Sequence, residues 1–137
     1  MAKDKYHDLV RDALIQDGWT ITHESALFKF GNKKAQFDLG AEKLIAAEKG
    51  KERIMVEVKS FLSNSAFYEL HEAVGQFTNY RRVLQLLKMD YEMILALPED
   101  VFEILFNDEF GQLTIEQEKL KFLLFRPIEK EISKWIK

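Results

Sequence analysis

From position 53 to 60 the chain reads Arg-Ile-Met-Val-Glu-Val-Lys-Ser, and no other stretch constrains the fold as much. Side chains alternate along an extended backbone. Ile54, Val56 and Val58 therefore share one face, and Met55, Glu57 and Lys59 the other. The pattern predicts a half-buried β-strand that ends in a carboxylate and an amine two residues apart. Ser63-Asn64-Ser65 then offers N-caps for a long helix over residues 66–88. Its expected apolar stripe is Phe67, Leu70, Val74, Phe77, Leu84 and Leu87. Residues 91–97 follow as a strongly apolar strand of the fully buried type. Strand, helix and strand in that order imply a crossover, with the two strands parallel or in a mixed sheet and the helix packed on one face.

The flanking segments fit around this unit. Residues 4–17 read as a helix with a stripe of Leu9, Val10, Ala13 and Leu14, stopped by Gly18. Residues 19–22 read as a short strand. Residues 27–30 and 35–39 flank Gly31-Asn32, a turn signal, and suggest a hairpin. Residues 44–48 are ambiguous between strand and helical turn, but the break at Gly50-Lys51 favours a second hairpin with the strand after it. Pro98-Glu99-Asp100 opens another helix, residues 121–125 form a last strand, and residues 128–136 a short terminal helix. The expected architecture is α/β: one domain over residues 1–137, with a central mixed sheet flanked by helices.

Composition narrows the function. A chain of 137 residues with 47% hydrophobic content suits one globular core. Cysteine is absent, which excludes disulfides and thiolate metal sites and makes the cytoplasm the expected location. The longest apolar runs, such as 93–97, are too short to span a bilayer, and the charged residues 1–5 do not open a signal peptide. A net charge of −3 argues against strong non-specific DNA binding. Lys29, Lys33 and Lys34 beside a turn, and Arg81-Arg82 on a helix, are the local basic clusters; each alone reads as solvated charge.

Asp38 ends an apolar run upstream of the Glu57/Lys59 strand. Asp followed by Glu-x-Lys on a later strand is the constellation of the PD-(D/E)xK nucleases. Two carboxylates supply hard oxygen ligands for Mg²⁺ or Mn²⁺, and a lysine beside them can position a water or offset charge on a phosphate. Gln76 and Tyr80, four apart on the long helix, share a face that the periodicity sets apart from the Leu70/Val74/Phe77 stripe. Plainer readings stand beside these. Asp38, just before Leu39-Gly40, can shape a turn. Glu57 and Lys59 can be a solvent-facing pair, and Gln76 and Tyr80 a surface amide and a ring at the core's edge. His7, His23 and His71 are dispersed and lack zinc-ligand spacing. Asp8 can lie near the site or be a solvated first-turn acid; Ser60, Ser63 and Ser65 read as caps and loop residues.

Segments 13–22, 38–43, 56–61 and 75–81 together resemble the XisH-like family. That family is named for a factor controlling excision of the fdxN DNA element in cyanobacteria, beside a site-specific recombinase and a companion factor, XisI. The resemblance implies a restriction-endonuclease-like fold, with Asp38 and Glu57 as metal ligands, the Val58 carbonyl as a further ligand, and Lys59 as the water-positioning base. Gln76 and Tyr80 match the Gln-x-x-x-Tyr helix motif of some nuclease branches. Phe37 stands where the motif's name has proline. Three functions follow as expectations: a Mg²⁺- or Mn²⁺-dependent DNA endonuclease assisting excision, a catalytically inactive nuclease-fold scaffold for DNA or protein partners, or a structural subunit whose hydrophobic helix face mediates assembly with XisI. The implied partners are DNA, an XisI-like protein and a recombinase, with a homo-oligomer also compatible and no membrane involved.

Overall fold

The computed structural model describes residues 4–26, 44–61 and 65–137. Its elements run α1 (His7–Gln16), β1 (Thr20–Ala26), β2 (Leu44–Lys49), β3 (Glu52–Val58), α2 (Ala66–Leu86), β4 (Glu92–Pro98), α3 (Glu99–Leu105), α4 (Glu109–Glu118), β5 (Phe122–Arg126) and β6 (Glu131–Ile136). The six strands lie in one sheet in chain order. The β3–β4 and β4–β5 pairs are parallel, and the others antiparallel. Both parallel connections step across the sheet in the same direction, so right-handed crossovers put their helices on the same face. Phe77 and Leu84 of α2, Phe102 of α3 and Phe106 after it accordingly join one core with Met55, Leu95, Leu97 and Phe122. Val10 and Leu14 of α1 close the opposite face, on Ile54, Val56, Ile94 and Phe125.

Local chemistry accounts for most boundaries. Gly18, at φ 95°, ends α1 in a conformation that other residues adopt only under strain. Gly50, at φ 62°, turns β2 into β3, and the pairing of Ala47 with Ile54 makes the expected hairpin. The strand expected over 19–22 extends to Ala26. The hairpin expected over residues 27–39 lies outside the described residues.

The structure corrects four expectations. First, β3 is buried on both faces from Ile54 to Val58, because α1 covers one side and α2 the other. Second, the stripe of α2 is Leu70, Ala73, Phe77, Tyr80, Val83 and Leu84; Phe67 and Leu87 are exposed. Third, the stretch after Pro98 forms two helices. Asp108 caps the second by accepting a 2.7 Å hydrogen bond from the Gly111 amide, which restarts the helix. Fourth, residues 128–136 hold a strand in place of a terminal helix. Ile128, Ile132, Trp135 and Ile136 have helical spacing, but the open edge of β5 offers a complete ladder, and β6 pairs along it from Arg126↔Glu131 to Phe122↔Ile136. Ordinary alternation puts Trp135 on the α1 face and Ile136 on the other, and a bulge opposite Leu124 and Phe125 turns Ile132 to the α1 face as well.

Gly111 is a point of close approach. A Cβ there would lie 2.4 Å from Phe106 Cα and 2.7 Å from its carbonyl oxygen, and backbone cannot rotate away. Gly111→Ala is expected to cost about 1–3 kcal/mol through overpacking. Urea unfolding followed by circular dichroism checks this; an unchanged midpoint contradicts it.

Candidate active site at the carboxyl end of β3

Met55 and Glu57 point to the α2 side of the sheet, since they alternate with Ile54, Val56 and Val58 on the α1 side. Glu57 is 0% exposed. The solvent-facing reading of this residue is therefore excluded. Its neighbours on the parallel strand are apolar, with Glu57 in register with Leu95 and Val58 with Ala96. Lys59 continues the ladder past the end of β3 by donating its amide to the Ala96 carbonyl at 3.0 Å. Its ammonium lies 3.9 Å from Glu57 Oε2 and 4.0 Å from Glu72 Oε1 of α2, so it bridges strand and helix. Phe61, two residues on, holds a φ of 55°, a left-handed conformation that a bulky residue adopts only at a cost of about 1–2 kcal/mol. Its side chain is buried in the α2-side core, which offsets that strain and fixes the turn after Lys59.

The structure brings Glu57, Val58 and Lys59 together at one end of β3, where open parallel sheets accept ligands. Gln76 lies on the border of the α2 stripe, and its Oε1 is buried with no hydrogen-bond partner among the described residues. Tyr80 does not share an exposed face with it. The Tyr80 side chain is 2% exposed and belongs to the α2-side core, because it lies three residues from Phe77 and four from Leu84 on one helix face. Asp38, like Phe37, Lys29, Lys33, Lys34 and Ser63, lies outside the described residues. Among the described residues no three His, Cys, Asp or Glu side chains form a group able to cage a metal ion.

Two contributors escaped the sequence reading. Glu72 is one turn before Gln76, so helical spacing alone places it on the same side. Asp4 accepts hydrogen bonds from the Tyr6 and Ser60 amides, both at 2.9 Å, and ties the lead into α1 to the segment after β3. Nothing in the sequence signals that contact, because it spans the chain. His7 is buried, and Asp8 pairs with Arg11 at 3.3 Å. Of the basic pair on α2, Arg81 donates to the Lys119 carbonyl at 3.1 Å and Arg82 to Asn79 at 2.9 Å.

These features define a mixed α/β protein with a buried acid beside a lysine at the carboxyl end of its central strand. Comparison with known proteins then places it. The family model described as XisH protein matches residues 1–133. An XisH family protein from Nostoc punctiforme is 36% identical, with a TM-score of 0.87 over 98% of this chain and 100% of that one. A fdxN element excision controlling factor protein from Anabaena variabilis is also 36% identical, with a TM-score of 0.86 over 96% of this chain and 98% of the other. No curated protein matches. The chain belongs to the XisH family. Among the described residues no helix is long and apolar enough to cross a membrane.

A carboxylate enclosed by two packed layers weakens a fold unless its interactions are very favourable; replacing buried ionic groups with apolar ones is often neutral or stabilising by about 1–4 kcal/mol. Glu57→Leu is therefore expected to raise the melting temperature when measured in a chelator. A marked fall would instead make Glu57 a structural residue.

Proposed function

We propose that this chain is a PD-(D/E)xK-type excision factor, a metal-dependent DNA endonuclease that assists removal of a DNA element. The observation that carries the reading is Glu57: a carboxylate with 0% exposure, held beside Lys59 at the carboxyl end of β3. An enclosed carboxylate costs the fold unless it is well paired, which supports a chemical role for the acid. The donors suit a hard cation. Glu57 offers a carboxylate and Gln76 a buried amide oxygen with no hydrogen-bond partner among the described residues, and cysteine is absent from the chain.

Glu57, Asp38 and the Val58 carbonyl would hold Mg²⁺ or Mn²⁺. Asp38 precedes Leu44 by a length of chain that reaches at most about 20 Å. Leu44 opens β2 beside the carboxyl end of β3, where Ile45 pairs with Val56. When bound, the ion supplies Lewis-acid polarisation of a phosphodiester and an activated water. Lys59 would position that water and offset negative charge on the phosphate, and Gln76 would offer its amide to the same space, with Tyr80, the other half of the motif pair, two turns on from Glu72 in the α2-side core. The partners in this reading are DNA, an XisI-like companion and a site-specific recombinase, with action in the cytoplasm where the DNA lies. The Anabaena variabilis relative's description as an excision controlling factor supports the genetic setting.

The burial of Tyr80 favours a second reading, in which the same fold is an inactive scaffold for DNA or protein partners. Only Gln76 of the Gln-x-x-x-Tyr pair then remains near the surface, and the net charge of −3 leaves DNA contacts to others.

Two measurements separate the readings. Calorimetric titration with Mn²⁺ is expected to show weak binding that Glu57→Ala abolishes; identical titrations would rule out the metal site. Lys59→Ala is expected to retain Mn²⁺ binding yet lower metal-dependent DNA cleavage by about 10²-fold or more. Absence of cleavage by the wild type on every DNA form, with excision in cells intact in Lys59→Ala, would establish the scaffold.

A further inference from the structure

The start of α2 and one side of α4 present an apolar surface to solvent. Phe67 is 58% exposed, Phe110 49% and Leu113 51%. The Phe67 and Phe110 rings nevertheless lie 5.7 Å apart, and His71 meets Phe67 edge-on at 4.5 Å, so these side chains form one platform. On α4, Phe110 and Leu113 are one turn apart, and Glu109 and Glu116 stand one turn to either side of Leu113. Gly111, the buried residue of the helix, faces Phe106. The platform is thus rimmed by acids. From residue 89 to residue 118 the chain contains no lysine or arginine, and residues 66–80 contain none either.

We propose that this face docks a protein partner whose contacting segment is both basic and apolar. Lysines or arginines of the partner would meet Glu109 and Glu116, and its aliphatic or aromatic side chains would cover Phe67, Phe110 and Leu113. Charge selects among the occupants of an aromatic platform. Nucleic acid stacks on such rings but requires cations around them, and this rim repels phosphate. A second copy docked face to face would set acid against acid. The inference is independent of the nuclease reading: it holds for an enzyme and for a scaffold.

The test uses the full chain and a synthetic amphipathic helix with leucine on one face and lysine on the other, compared with its leucine-and-glutamate counterpart. Titration calorimetry is expected to show binding of the lysine peptide alone. Phe110→Ser is expected to weaken it about tenfold or more, in the range of an interface anchor. Glu116→Lys should weaken it and flatten its salt dependence, while Ile15→Ser, a comparably exposed change on α1, should leave it unaltered. These side chains are exposed, so folding is retained, which circular dichroism verifies. Equal binding of both peptides, or equal losses in Ile15→Ser and Phe110→Ser, overturns the proposal. So does self-association, or binding of a single-stranded oligonucleotide, that Phe110→Ser abolishes.

Discussion

The enclosure of Glu57 depends on β3 being covered twice. Parallel pairing with β4 brings α2 over one face, and α1 covers the other, so from Ile54 to Val58 the strand that carries the acid has no solvent side. Moving such a carboxylate out of water costs several kcal/mol even after relaxation. The surrounding structure holds it in place: Met55 and Leu95 on the same face, Lys59 bridging to Glu72, and the backbone of Lys59 tied to Ala96. A rigid strand fixes the acid and the lysine at a set separation, which a site for phosphate chemistry needs and a loop would not supply.

This arrangement divides the molecule by task. The carboxyl end of β3 gathers the hydrogen-bonding and charged groups that reach inward. Asp4 fixes Ser60, Phe61 turns the chain through a strained conformation, and Gln76 presents a buried amide oxygen. The crossover from β4 to β5 carries acidic charge and apolar rings outward. A protein with net charge −3 is poorly suited to hold DNA alone. A basic partner on the acidic face would supply the positive field that the chain itself lacks, so the two features complement each other.

Much of the fold was legible, because hydrophobic periodicity follows local geometry. The alternation of 54–58, the stripe of α1, the length of α2 and the apolar run of β4 all have the period of their element. The failures share a physical origin in tertiary context. Ile132 and Ile136 keep helical spacing, yet an unpaired neighbouring edge makes them a strand. Glu57 looked half-exposed because its own segment cannot show that a later helix covers it. Tyr80 was placed off the stripe because Gln76, its partner in the motif, lies at the stripe's border while the ring itself packs inward. Glu57, Val58 and Lys59 lie together because they are consecutive in the chain, and helical spacing puts Glu72 on the side of Gln76; Asp4 reaches the same strand end through a contact that no local pattern encodes.

In the proposed function Glu57 is buried to bind a cation with Asp38. Crystals soaked in Mn²⁺ and measured near the manganese absorption edge test it most directly. One anomalous peak is expected, ligated by a Glu57 oxygen and an Asp38 oxygen, with Lys59 close but not ligating. No peak at saturating Mn²⁺, or an Asp38 side chain directed away from Glu57, would contradict it.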